Sequence, residues 1–238
     1  MSDISNNYGN LTSEQVSVFF RKVYTYMFIA LAISGTVAYI FGTDKNLFSS
    51  IFFNAETQSI SFLFYVVVFS PLILGLIIQR AFMRLSMELL TFLFVLYSIL
   101  MGLSLSTIFM VYEMGAIAWT FLVTSGAFAG MAVLGYTTKT DLTKFGSLLY
   151  MVFIGMFLAS IVNLFMQNDS FGFIISCLGV FVFTGLTAYH MQNLKKLAES
   201  TEIEGEAKTK LALIGGLQLY ILFVNLFLSL LRILGGRR

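Results

Sequence analysis

The sequence predicts an all-α polytopic membrane protein with seven transmembrane helices, and three observations lead there. Hydrophobic residues make up 58% of the chain and charged residues only 11%, against roughly 25% charged in a soluble globular domain. Apolar runs long enough to cross a bilayer core, which takes about 20 helical residues, recur from end to end. Phe is abundant (26) and Pro nearly absent (1), which suits uninterrupted helices rather than a loop-rich fold.

The first element is a polar segment, residues 1–22. Its opening, "MSDISNNYGNLTSEQ", lacks the basic stretch, short apolar core and small-residue cleavage site of a signal peptide. The first apolar helix is therefore expected to remain in the mature chain. Thr12 and Gln15 form a capping-box pattern, followed by Val16, Phe19, Phe20 and Val23 at helical spacing. This predicts a helix that begins on the surface and runs into the bilayer.

The seven spans fall near 23–41, 60–78, 89–112, 116–135, 147–166, 172–190 and 211–233. Connections are short except 42–59 and 191–210, and no composition shift marks a boundary, so 1–238 reads as a single membrane domain. The connection 191–210 mixes four Lys with four Glu and reads as a solvated loop. Cys177 excludes an intrachain disulfide, being the chain's one cysteine, and reads as a small apolar residue facing lipid or a neighbouring helix.

Basic residues orient the spans. Arg21, Lys22, Arg80, Arg84, Lys139, Lys144, Lys195, Lys196, Lys208 and Lys210 fall on one side, and Lys45 alone on the other. The N-terminus is expected in the cytoplasm. Arg232, Arg237 and Arg238 would then lie outside if the last segment crosses, and its length favours a crossing.

Small residues recur every four positions in Ala30/Ser34/Ala38, Ser98/Gly102/Ser106, Gly126/Gly130 and Gly155/Ala159. Such rows let helix backbones approach closely in lipid. Polar residues within or at the ends of spans are Asn163, Gln192, Gln218 and Asn225. They read first as interhelical hydrogen-bonding groups and secondarily as the lining of a polar path.

The acidic residues Glu88, Glu113, Asp141 and Asp169 stand near segment ends. An intramembrane aspartyl protease needs two facing carboxylates inside the membrane, and no such pair exists. A serine protease built from Ser104 and His190 is the remaining enzymatic reading, but Ser104 belongs equally to a small-residue row. The chain reads as a non-enzyme. It offers no phosphate-binding glycine loop and no His/Asp/Glu metal cluster, so neither cofactor nor metal is expected. The net charge of +2 gives no nucleic-acid footprint.

Four stretches, "LYSILMGLSLSTIFMVY" (96–112), "GYTTKTDLTKFGSLLYM" (135–151), "GLTAYHMQNLKK" (185–196) and "LQLYILFVNLFLSLLRILGGRR" (217–238), resemble the Bax inhibitor-1 family, most closely its bacterial inner-membrane branch. The likeness runs from about Val16 to the C-terminus. It implies seven helices with the last one central. It also implies a proton-sensitive calcium leak in some members, suppression of cell death or stress responses in others, and, in some bacterial members, modulation of a membrane-anchored ATP-dependent protease.

In the family's leak, the resemblance implies two aspartates facing each other, in a "TAYD" motif of helix six and an "LYLDF" motif of helix seven. They share one proton because two close carboxylates cannot both ionise cheaply. An arginine near the cytoplasmic end of helix two pairs with them, for which Arg80 and Arg84 are the candidates here. At the two aspartate positions this chain has His190 in "TAYH" and Leu222 in "LYILF". A histidine, with its ordinary pKa near 6.5, would still sense pH but gain a charge on proton uptake where an aspartate loses one. Without the gate, His190 would be an amphipathic residue at the membrane edge beside Lys195 and Lys196.

Two functions follow as expectations. One is a pH-influenced calcium or cation leak, or a degenerate relative lacking the two-aspartate latch. The other is a non-conducting protein that binds a membrane protease or stress-response complex.

Overall fold

A computed structural model describes residues 2–54, 59–199 and 205–235, with side chains from Glu14 onward apart from Asn54. The elements run α1 (Ser2–Thr43), α2 (Lys45–Phe52), β1 (Phe53–Asn54), β2 (Ser59–Ile60), α3 (Phe62–Ala81), α4 (Met87–Leu105), α5 (Ile108–Val111), α6 (Met114–Thr137), α7 (Thr143–Met166), α8 (Asp169–Glu199) and α9 (Gly205–Leu234). Among the described residues, seven helices are long and apolar enough to cross a membrane. The protein is a multi-pass integral membrane protein.

Helix ends differ from the sequence expectation in three places. α1 runs straight through Thr12, whose side chain lies outside the described residues, so the start expected there is interior helix. The connection 42–59 holds a short amphipathic helix and a two-stranded ribbon, with Phe53 opposite Ile60. Much of 191–210 is helical too, because α8 continues to Glu199 and α9 begins at Gly205. Residues 200–204, with Glu202 and Glu204 of that connection, lie outside the described residues, as do Arg237 and Arg238. At 31 residues, α8 is about 46 Å long at 1.5 Å per residue, which exceeds the roughly 30 Å hydrocarbon core. Its last turns therefore extend into the polar zone.

The chain forms two compact units. The unit built on 18–112 and 201–217 is organised by close helix contacts. A Cβ added to Gly102 would stand 2.7 Å from the Ser34 carbonyl oxygen. Two of the predicted small-residue rows therefore meet, and Ala30, Ser34, Ala38, Ser98 and Ser106 are all buried with them. Gly75 of α3 makes room for the Tyr97 ring, and Gly216 of α9 lies against the Val23 carbonyl and Tyr26. Asp44 caps α2 by accepting from the Asn46 and Leu47 amides, which points Phe48 and Phe52 onto Val67. Lys22 donates to the Thr209 hydroxyl at 3.0 Å.

The unit built on 1–17, 113–200 and 218–238 centres on α8. Gly135 of α6 abuts the Ala188 backbone, Gly146 of α7 accommodates the Tyr189 ring, and Gly185 receives Leu149. The other two predicted rows do not pack: nothing lies within 4 Å of a Cβ built on Gly126, Gly130 or Gly155. The α6 residues that are buried instead include Thr120, Thr124, Phe128 and Ala132, on another face of the helix. Phe223 of α9 sits between the rings of Phe121 and Phe128, at 5.3 and 5.5 Å.

The α7–α8 turn explains Asn163. Gln167 adopts the left-handed conformation (φ 49°) and its amide donates to the Asn163 carbonyl. The Asn163 side-chain oxygen accepts from the Asn168 amide, so this polar residue closes a tight turn. Cys177 is exposed on the surface of α8.

Candidate functional site

The motif "GLTAYH" shapes its own surroundings. Gly185 and Ala188 keep α8 thin where α6 and α7 approach, and Gly146 on α7 leaves the gap that Tyr189 enters. The next residue, His190, then reaches Tyr150 on α7. Their Oη and Nε2 atoms share a 2.7 Å hydrogen bond. The rings of Tyr150, Tyr189 and His190 lie edge to face, with centroids 5.5 to 6.2 Å apart. The Gln218 side chain of α9 also lies beside the imidazole. His190 therefore joins three helices through neutral partners.

Leu222, one turn beyond Gln218 on α9, is 6% exposed. Residues four apart share a helix face, so His190 meets α9 a turn short of Leu222. The carboxylates of α8 and α9 are Asp169, Glu199 and Glu206, all in end turns. Arg80 and Arg84 belong to the other unit, at the end of α3 and in the turn after it, and both are exposed. Asn225 donates its side-chain amide to the Ile221 carbonyl at 2.8 Å.

Below His190, α8 is tied to the α6–α7 connector. Gln192 accepts from the Leu142 amide at 2.9 Å and donates to the Thr140 carbonyl at 2.8 Å. Lys195 donates to the Tyr136 carbonyl and lies 4.7 Å over that residue's ring. Lys196 pairs with Asp141 at 3.0 Å. The Thr143 hydroxyl, then the Lys196 ammonium, hold the Asp141 carboxyl down at about 2. Lys195 and Lys196, expected in a solvated loop, thus brace a helix end.

Tyr150 is the partner that reading the sequence does not reveal. It stands 40 residues from His190, and a tyrosine near the end of a span is commonplace in the aromatic belts of membrane proteins.

The profile of the family described as "Inhibitor of apoptosis-promoting Bax1" matches residues 16–238. A Borreliella burgdorferi protein is 43% identical over 234 residues, covering 96% of this chain and 98% of the relative. Inner membrane protein YbhL of Escherichia coli K12 is 38% identical over 224 residues, covering 94% and 93%. A membrane protein of Streptococcus pyogenes serotype M1 is 31% identical over 219 residues, covering 91% and 92%. With nearly its whole length matched in sequence, and with seven apolar helices in its structure, the chain belongs to the Bax inhibitor-1 family.

Proposed function

We propose that the protein is a cation leak of the Bax inhibitor-1 type whose helix contact is held by a neutral histidine network in place of two aspartates. The bond between His190 and Tyr150, beside Gln218, supports this reading. Neutral imidazole, phenol and amide groups present dipoles but no anion, so calcium loses the charge attraction that a carboxylate pair would supply. Protonation of His190 places a cation among them and repels passing cations. Acid therefore lowers the leak.

The inner-membrane name of the Escherichia coli relative supports the same compartment here. The distribution of basic residues supports a cytoplasmic N-terminus.

Liposome flux tests the reading. Wild-type protein should pass monovalent cations better than calcium, with flux that falls at the acid end of a series from about pH 8 to about pH 4. His190→Asp with Leu222→Asp should restore calcium flux and couple the two positions beyond the sum of the single variants. Absence of flux from both proteins at every pH would overturn the leak. It would favour the second reading, a non-conducting protein acting on a membrane-anchored protease or stress-response complex. That reading is supported by Leu222, which is buried where an ionisable latch would need a carboxylate.

A further inference from the structure

A cavity of about 200 Å³ lies among α7, α8 and the second half of α9, apart from the His190 network. Phe153 and Phe183 bound one end, their rings 5.9 Å apart. Following the three helices from there brings Asn225, Ser176, Ser229 and Ser160 into its wall and Arg232 to its far end. All are residues of one compact unit.

The hydrogen bonds decide what this wall can recognise. The hydroxyls of Ser160, Ser176 and Ser229 donate to the carbonyls of Met156, Gly172 and Asn225, at 2.9, 2.8 and 2.8 Å. The Asn225 side-chain nitrogen donates to Ile221. The three hydroxyl hydrogens and one of the two Asn225 N–H groups are thus engaged within their own helices, and the side-chain oxygens face the cavity as acceptors. Arg232, exposed at the end of α9, adds a cation that makes no ion pair with any described residue. The complement of this wall is a group bearing an anion for the guanidinium and N–H or O–H donors for the oxygens.

We propose that the cavity binds a phosphodiester headgroup that carries hydrogen-bond donors, as in phosphatidylethanolamine or phosphatidylglycerol. Arg232 would grip the phosphate in the forked geometry that guanidinium offers. Asn225 and the three serines would accept from the ammonium or the glycerol hydroxyls. Phosphatidylcholine supplies the same phosphate, but its trimethylammonium has no N–H to donate. The acyl chains have a track outside, since Phe157, Leu158, Ile161 and Phe165 on α7 are all exposed apolar residues.

The test uses the full-length protein in phosphatidylcholine nanodiscs, with bound lipid counted by native mass spectrometry. Phosphatidylethanolamine or phosphatidylglycerol should be retained about tenfold over added phosphatidylcholine. Arg232→Gln should lower the retention of all three lipids, since it gives up the phosphate contact they share, and Arg232→Lys should keep part of it. Ser176→Leu fills the cavity and should abolish retention; Ser160→Leu, at a less buried position, serves if that variant does not fold. Equal retention of all three lipids by the wild type, or unchanged retention in Arg232→Gln, would overturn the proposal and leave Arg232 as a cation at a helix C-terminus. Displacement of the lipid by millimolar inorganic phosphate or glycerophosphoethanolamine would overturn the lipid assignment in favour of a free phosphate ligand.

Discussion

α7 and α9 are almost equally apolar, with mean hydropathies of 2.3 and 2.1 over their most apolar stretches, yet 6% of the residues in that stretch are buried in α7 and 72% in α9. In water such a difference would be ruinous for α7. In lipid it costs little, because hydrocarbon solvates a leucine as well as another helix does. Shape and polar anchoring set burial here. α9 carries Gly216 against a backbone carbonyl and Phe223 between two rings, whereas Gly155 of α7 faces open space. The buried residues of α7 are Gly146 and Leu149, and both meet α8.

The comparison breaks most easily at its glycines. Gly216→Leu puts a side chain 2.7 Å from the Val23 carbonyl and should destabilise by about 3 kcal/mol. Gly155→Leu should stay within about 0.5 kcal/mol. Reversible unfolding in mixed micelles measures both, and equal losses would mean that α7 is packed as tightly as α9.

Aromatic truncation should give the next largest contrast. Phe223→Ala removes a ring held by Phe121 and Phe128, for a loss of about 2 kcal/mol where lipid competes for the ring. Phe165→Ala on α7, at a side chain 85% exposed, should cost about 0.3 kcal/mol or less.

A smaller effect should come from the polar ties at the start of α7. Gln192→Ala gives up hydrogen bonds to Leu142 and Thr140 and should cost about 1.5 kcal/mol. Amide exchange of Leu142 should rise in the same variant. An unchanged exchange rate would show that helix packing alone holds the connector.

The smallest is the pH response of Asp141. Its folded-state value, about 2, lies below the ordinary 3.8. The stability it contributes is present above the ordinary value and is lost as pH falls towards about 2. The Asp141→Asn variant should therefore lose the slope of stability between those two values while matching wild type in shape near neutrality. Added salt should shrink the difference, since this ion pair is solvent-exposed.

How much of this was legible beforehand follows from the physics of each signal. Hydropathy reports transfer into lipid, so the spans could be read directly, whereas the faces they turn to one another could not. Ser98/Gly102/Ser106 and Gly126/Gly130 look alike in sequence, yet the first row packs and the second is bare. Helix ends escaped because apolar periodicity stops where α8 leaves the membrane zone, while its hydrogen bonding continues to Glu199. At the site, His190 and Gln218 were visible as polar residues in apolar surroundings. Tyr150 was not, because its role exists only through glycines on two helices that let α7 and α8 close up.

The two compact units divide α9 between them, one taking residues to Leu217 and the other those from Gln218. α9 is also the last of the described helices to leave the ribosome. Until it inserts, the groove at Val23 and Tyr26 lacks Gly216, and Phe121 and Phe128 lack Phe223. Both units lack part of their packing until then, so a single late insertion event completes both. A nascent chain stalled before Gly205 would present two unfinished surfaces to the membrane at once, a conspicuous target for quality-control proteolysis.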